Sequence, residues 1–235
     1  VAPNKNLVIL ARSPKKEGVV IPTEEQLLAI KAEVEASEIA PFEDNTVIEP
    51  LLNPSLKLKG SKVKATATND SLGYTEWTLK NGIKVVVRPS TLKADEVIIY
   101  ATAKGGKSML SDADYFHGDY LAMVMQQSGI SKFSATELAK QLSGKSAHAS
   151  VGVGAYEHAV NASGSPKDIE TILQLMYLNF TAPRFDETDL QNLKNMYVPY
   201  FRNMEADPDY HMGKEFSKTL YNNHPRRQVT SAEQI

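Results

Sequence analysis

The stretch EWTLKNGIKVVV, residues 76–87, decides the fold of the central part of the chain. Two runs rich in β-branched and aromatic residues flank Asn81-Gly82, a dipeptide that strongly favours a tight turn between antiparallel strands. A third run, residues 97–103, predicts a further strand and ends at Gly105-Gly106. The sheet is therefore expected to be mostly antiparallel, because it starts as a hairpin.

Two helices are expected after these strands. Ser111 and Asp114 are typical of a helix start, and Gly129 is typical of the end of the same helix. Ser134 and Glu137 have the spacing of a capping box, which predicts a second, shorter helix.

A second hairpin follows the helices. Residues 147–153 alternate small apolar and polar side chains, so they predict a strand with one apolar face. Residues 156–162 predict the returning strand, with Gly154-Ala155 as the turn. Ser165-Pro166 then begins a helix, with proline at its first position. The apolar positions of this helix, expected to pack on that strand face, are Ile169, Ile172, Leu173, Met176 and Phe180.

Two longer helices complete the predicted elements. They span residues 185–204, with a bend at Pro199, and residues 209–221. The fold class expected from this order is α+β, with a mostly antiparallel sheet and helices packed on one face.

The N-terminal part of the chain has weaker signals. Residues 7–11 predict a short apolar strand, and Thr23 to Gln26 carry the capping-box pattern of a helix start. Prolines break the segment after residue 40, which indicates an ordered linker wrapped on a larger body. The strand at residues 7–11 is expected to pack on that body or to pair with another copy.

Composition excludes several classes of function. The 235 residues carry a net charge of −2 without a basic block, so nucleic acid is not expected as a partner. No apolar run approaches about 18 residues, so no membrane insertion is expected. Cysteine is absent, which excludes disulfides and cysteine-based zinc sites and suits a bacterial cell-envelope protein. Because the chain starts at Val1, we interpret it as a fragment of a longer protein.

A spaced set of residues around the two last helices carries a family resemblance. It consists of Phe185-Asp186, Leu190, Lys194, Phe201-Arg202 and Asp207-Pro208. Together with the element order and the Leu-x-Asn-Gly opening, it resembles the insulinase/pitrilysin family of zinc metallopeptidases, whose active repeat bears the inverted motif H-x-x-E-H. Long members of that family contain tandem repeats, of which one is active and the others close a chamber over the substrate.

The resemblance implies a domain organisation. Residues 1–70 would be the end of a preceding repeat and the linker between the halves. Residues 71–222 would be a non-catalytic repeat, the third of four, and residues 223–235 would start the linker to the next repeat.

The positions of the family's metal ligands hold other residues in this chain. Counted back from Gly129, the H-x-x-E-H positions fall on Tyr120, Met123 and Val124, and the position of the third ligand, a glutamate, falls on Tyr200. Zinc requires lone-pair donors, and peptide hydrolysis requires a carboxylate that takes a proton from water. We therefore expect no catalytic, metal-binding or cofactor-binding residues here, and zinc only in the catalytic repeat of the parent protein.

Two histidine arrangements are alternatives to this interpretation. His117 with Asp114 and Asp119 could be a relic metal site, but a solvated helix start explains them better because His117 and Asp119 do not share a helix face. His148 and His158 lie on adjacent predicted strands, yet counting across the turn puts His148 opposite Asn161. A polar sheet face is the better interpretation of that pair.

Gly106-Lys107-Ser108 is similar to the end of a phosphate-binding P-loop. The first glycine of that motif would fall on Ala101, inside a predicted strand. A turn at the exit of the strand is therefore favoured over a nucleotide site.

Two functions remain open from the sequence. The first is a structural, substrate-chamber domain of a zinc metalloendopeptidase, whose partners are the other repeats and the peptide substrate of the parent. The second is an inactive peptidase-like scaffold or binding subunit of a complex. The expected location is the periplasm or cell envelope, with the cytoplasm as the alternative.

Overall fold

The computed structural model describes residues 7–12, 18, 20–38 and 48–235. Two compact units divide the chain, residues 1–45 and residues 46–235. None of the helices in these described ranges is long and apolar enough to cross a membrane.

The first unit contains helix α1 (Glu24–Ala36). Its start is the predicted capping box: the Thr23 hydroxyl accepts a hydrogen bond from the Gln26 amide, and the Gln26 side chain accepts one from the Thr23 amide. The strand predicted at residues 7–11 is wrong, because residues 7–12 have no β pairing. A strand needs a neighbour for its backbone groups, and no strand among the described residues pairs with this segment.

The second unit contains six strands in two antiparallel sheets. The first sheet has the order β1-β2-β3, with β1 (Val63–Asn69), β2 (Tyr74–Leu79) and β3 (Lys84–Val87). The second has the order β4-β6-β5, with β4 (Val97–Lys104), β5 (Ala147–Val153) and β6 (Glu157–Gly164). The α+β class with antiparallel strands is confirmed, although the strands form two three-stranded sheets where one sheet was expected.

Five helices complete this unit. They are α2 (His117–Ser128), α3 (Ala135–Gln141), α4 (Ile169–Thr181), α5 (Glu187–Glu205) and α6 (Pro208–Leu220). Helices α2 and α4 pack against the second sheet, and α5 contacts both α2 and α6. Helix α2 begins three residues after Asp114, because Ser111 and Asp114 close a turn of their own before it.

The predicted hairpin at Asn81-Gly82 is confirmed. The Gly82 amide donates to the Leu79 carbonyl at 3.0 Å, and the Leu79 amide donates to the Ile83 carbonyl at 2.8 Å. Gly82 has φ +89°, which glycine adopts without a steric cost. The turn therefore depends on this glycine, and β2 and β3 pair directly on either side of it.

The second hairpin turns one residue later than expected. The Gly154 amide donates to the Glu157 carbonyl at 2.8 Å, so Ala155-Tyr156 forms the turn. A shift of one residue in the turn moves the strand register by two, and His148 lies opposite Ser163 instead of Asn161.

The larger core lies between α4 and the second sheet. Its buried members are Leu51, Ile130, Phe133, Leu175 and Leu178, and Ala147 and Ala149 of β5 pack against them. Two residues of the predicted apolar strand face, Ala147 and Ala149, therefore lie in this core. The division at residue 70 stays a prediction about repeats, but Leu51 and β1 belong by their contacts to the second unit.

The buried face of α4 is only partly the predicted one. Ile172 is fully buried, whereas Leu173 is 50% exposed and Phe180 is 66% exposed. The helix faces the core with Ile172, Leu175 and Leu178, so the inward stripe is turned by about one residue. Leu173 therefore lies outside the core in this unit.

Candidate functional site

The candidate site is the place where helices α2 and α5 meet. Tyr120 and Val124 of α2 lie one turn apart, so they share one face of the helix. Both are buried there, together with Leu193 of α5, which is 0% exposed. Tyr197, Phe201 and Ile235 pack around these three residues. The junction is therefore a closed cluster of aromatic and aliphatic side chains.

Aromatic contacts show which residue of α5 meets Tyr120. The Tyr120 and Tyr197 ring centroids are 5.9 Å apart in an edge-to-face arrangement, and Tyr197 is stacked near Phe201. Tyr200 contacts the edge of Phe201 at 5.3 Å and is 56% exposed. Because the ligands of one zinc ion converge, the resemblance implies that Tyr200 of α5 approaches Tyr120 of α2. The two helices do meet, but Tyr197 and not Tyr200 contacts Tyr120.

Leu193 was missed by the sequence reasoning, and the contact of Tyr197 with Tyr120 was not predicted. The signal that could have found them is the spacing of Leu193, Tyr197 and Phe201, which recur every four residues and form one stripe of α5. Met196, Tyr200 and Met204 have the same spacing and form a second, exposed stripe. Because α5 carries two apolar stripes, sequence alone does not select the inward one.

The chemistry of the junction does not suit a zinc ion. Burial raises the pKa of the Tyr120 phenol, with smaller contributions from Asp119 and Tyr197, so this group stays protonated at neutral pH. Val124 and Leu193 offer no lone pair, and Met123, at the position of the catalytic glutamate, is 40% exposed on another part of α2. Among the described residues, no group of three or more His, Cys, Asp or Glu side chains could hold a metal.

The residues of the alternative metal site, His117, Asp114 and Asp119, do not converge in the structure. His117 Nδ1 and Asp114 Oδ1 are 3.8 Å apart, and both side chains are exposed. Asp119 instead forms an ion pair with Lys107. The carboxylate is therefore engaged by a lysine, which competes with any metal ion for it.

The second histidine pair is also separated. His148 lies opposite Ser163, whereas His158 lies opposite Val153 on one side and Ala103 on the other. The Nε2 atom of His158 accepts a hydrogen bond from the Gly106 amide at 3.1 Å. His158 therefore has a structural role at the end of β4.

The segment that is similar to a P-loop binds the tip of the second hairpin. The amides of Gly105, Lys107 and Ser108 donate to the carbonyls of Tyr156, Gly154 and Ala155 at 2.8–2.9 Å. These backbone groups are the ones that would otherwise bind a phosphate. Three carbonyls already occupy them, so a turn at the strand exit, the interpretation favoured above, explains the motif.

Lys107 itself is not available to a nucleotide. Its side chain is buried, its ammonium pairs with Asp119, and it lies 4.5 Å from the centre of the Tyr115 ring. The hairpin tip also passes so close that a Cβ on Gly106 would be 2.3 Å from the Gly154 carbonyl oxygen.

Crystal structures of proteases share this fold. The periplasmic protease PqqL from Escherichia coli superposes with a TM-score of 0.67 at 17% identity, over 91% of this chain and 23% of that chain. A ferredoxin protease, FusC, in a complex with Arabidopsis ferredoxin, has a TM-score of 0.67 at 19% identity, over 92% and 24%. A protease from Helicobacter pylori has a TM-score of 0.51 at 17% identity, over 66% and 37%.

The structural similarity to these proteases is a similarity of fold, and it extends over only part of each protease chain. The chain spans about a quarter of the length of the PqqL and FusC chains. At these identities the likeness shows a shared fold, and it does not show a position among repeats. No protein-family model matches the chain, and no curated protein sequence matches it.

Proposed function

We propose that this chain is a non-catalytic repeat of a zinc metallopeptidase, the third of four, which helps to enclose the substrate chamber. One observation supports the proposal: the α2–α5 junction, where the resemblance would place the metal ligands, is packed with core side chains. Tyr120, Val124, Leu193 and Tyr197 pack where metal donors would have to converge.

A catalytic zinc site and a hydrophobic core require different side chains. A catalytic zinc site needs imidazole or carboxylate donors, an open coordination position and a group that deprotonates water. The junction offers buried hydrocarbon and a protonated phenol, and it excludes water. Such a junction stabilises the packing of two helices and performs no hydrolysis.

Exposed apolar stripes on α5 and α6 support a place within a larger assembly. Met196, Tyr200 and Met204 form one stripe, and Met212, Phe216 and Leu220 form another with the same spacing. Large exposed apolar surfaces mark interaction sites. The proposed partners are the other repeats of the parent chain, which would carry the zinc, and the peptide substrate that passes between them.

The proposed location is the periplasm or cell envelope. The absence of cysteine fits that location, and one protease with the same fold is described as periplasmic. The alternative function, an inactive scaffold or binding subunit, differs only in whether the parent carries H-x-x-E-H upstream.

The experiment is a metal and activity measurement on the 235-residue chain, purified without chelator. Elemental analysis should find far less than one zinc per chain, and unfolded peptides should stay intact with or without a chelator. A variant with donors installed, Tyr120→His with Val124→His, is the matched control, because two histidines one turn apart can bind zinc. One tightly held zinc in the unmodified chain, or chelator-sensitive cleavage by it, would overturn the proposal.

A further inference from the structure

A surface cleft of about 360 Å³ lies in the second unit, away from the α2–α5 junction. Tyr115 lies before α2, Tyr156 is at the tip of the second hairpin, and Tyr221 follows the end of α6. His224 and Arg227 come from the segment after Tyr221. With Arg226, three phenol rings, one imidazole and two guanidinium groups thus line one concave surface.

Arg226 builds the cleft but is not free to bind a ligand. Its Nε donates to Asp112 Oδ1 at 2.5 Å, and its Nη2 donates to the Leu110 carbonyl at 2.9 Å. Its guanidinium also lies 5.1 Å from the centre of the Tyr115 ring. Asp112 neutralises this charge, so Arg226 ties the C-terminal segment to the loop before α2.

Arg227 is placed differently. Its guanidinium lies 5.2 Å from the centre of the Tyr221 ring. Within the described part of the chain, that guanidinium has no carboxylate or other hydrogen-bond acceptor. Stacking uses the face of a guanidinium and leaves its N–H edge open, and that edge matches the two oxygens of a carboxylate.

His224 adds a second donor beside Arg227. Its Nδ1 accepts a hydrogen bond from the Arg226 amide at 3.2 Å, so the neutral ring carries its hydrogen on Nε2. Tyr156, which is 74% exposed, provides an aromatic surface in the same cleft. None of the described residues that line the cleft is acidic.

We propose that this cleft binds a peptide carboxylate that lies next to an aromatic or large aliphatic side chain. Arg227 holds the carboxylate through its N–H edge, His224 donates a further hydrogen bond, and the tyrosine rings pack against the neighbouring side chain. The carboxylate could belong to an Asp or Glu side chain or to the C-terminus of a peptide. The inference requires no metal and no active parent, so its failure would leave the proposed function standing.

The test uses fluorescence anisotropy with three labelled peptides and the 235-residue chain. The first peptide has Phe-Asp inside blocked ends, the second has Phe-Asn at the same place, and the third ends in Phe with a free C-terminal carboxylate. The Phe-Asp peptide, the free-C-terminus peptide or both should bind at least about tenfold more tightly than the Phe-Asn peptide, as expected for a charge-assisted pair. Which of the two binds identifies the source of the carboxylate.

Variants locate the site. Arg227→Gln should weaken binding of the acidic peptide about tenfold or more, and Arg227→Lys should restore only part of it, because lysine lacks the planar fork. Arg202→Gln, which removes an exposed arginine of α5, is the matched control and should leave binding unchanged. Circular dichroism should show that every variant keeps the fold.

Three results would overturn the inference. The first is equal or no binding of all three peptides up to millimolar chain concentration. The second is unchanged binding by Arg227→Gln. The third is displacement of the peptide by inorganic phosphate as readily as by the unlabelled peptide, because that would show a simple anion site without recognition of the neighbouring side chain.

Discussion

At the scale of the residue, Ile172 and Leu173 are neighbours in sequence with different environments. Ile172 of α4 is fully buried, and Leu173 is half-exposed. Removing a buried side chain costs the transfer free energy and leaves a cavity, whereas removing an exposed one costs much less.

Ile172→Ala should therefore lower the free energy of unfolding by about 2–5 kcal/mol. Leu173→Ala, the matched control, should lower it by less than about 1 kcal/mol. Urea unfolding followed by circular dichroism measures both. Equal losses would mean that the buried face of α4 is not the one described.

The folding stability that Tyr120 contributes at the α2–α5 junction depends on pH. Because the pKa of its phenol is raised in the folded state, the folded chain binds more protons than the unfolded chain at high pH. The stabilisation is complete below the ordinary tyrosine pKa of about 10 and is lost as pH rises through the higher folded value. Tyr210 shows a pKa shift in the same direction, also from burial.

Tyr120→Phe isolates this contribution. The difference in unfolding free energy between the unmodified chain and the variant should be constant from about pH 7 to pH 9. Above a pH of about 10, the unfolding free energy of the unmodified chain should fall relative to that of the variant. The reason is that the Tyr120 phenol ionises more readily in the unfolded chain, and the variant has no such phenol. A difference that stays flat to about pH 11 would contradict the raised pKa of Tyr120.

At the scale of the element, the turn after β4 depends on a glycine. Gly106 has φ +62°, and a Cβ at this position would clash with the carbonyl oxygen of Gly154. Gly213, in the middle of α6, has ordinary helical surroundings, and a Cβ at this position would meet nothing within 4 Å. The two glycines should therefore respond in opposite directions to the same substitution.

Gly106→Ala should destabilise the chain by about 2 kcal/mol or more, since it combines backbone strain with a steric clash. Gly213→Ala should stabilise it by roughly 0.5–1 kcal/mol, since alanine is the better helix former. Thermal unfolding of both variants under one condition tests the pair. Loss of stability in both, or in neither, would contradict the described turn.

Elements with local determinants could be predicted from the sequence. The Asn81-Gly82 hairpin and the capping boxes at Thr23 and Ser134 depend on residues within about four positions of one another, and all three are present in the structure. The inward face of α5 depends on what α2 presents to it. For this reason Tyr197, and not the predicted Tyr200, contacts Tyr120, although both residues lie on α5.

The same distinction explains the sheets and the second turn. Alternation along β5 is a local pattern, and two residues of the face that it predicted as apolar, Ala147 and Ala149, pack in the core. The choice of Ala155-Tyr156 over Gly154-Ala155 depends on β4, because the Gly154 and Ala155 carbonyls accept bonds from the strand exit. Pairing between strands that are distant in sequence is also non-local. For this reason the division into two sheets was not predicted.

At the scale of the whole molecule, helix α6 presents a stripe of large apolar side chains to solvent. The stripe of Met212, Phe216 and Leu220 on α6 is more than half-exposed at each position. If other repeats cover this stripe in the parent protein, it should drive self-association when the chain is alone.

Sedimentation velocity should therefore show association that increases with concentration. Phe216→Asp should shift the chain towards the monomer, whereas Lys214→Asp, which adds an acidic group nearby without removing apolar area, should do so less. If the chain stays monomeric at all concentrations, the idea that other repeats cover the apolar stripe of α6 would be contradicted.

The bonds between the second hairpin and the exit of β4 also bear on the order of folding. Gly106 and His158, which they help to bring together, are 52 residues apart in sequence. Closing so long a loop costs entropy, which the packing of the intervening elements and the pairing of β4 with β6 must offset. The amides of Gly105, Lys107 and Ser108 should thus be among the last to gain protection from hydrogen exchange during refolding, and they would report that the second sheet is complete.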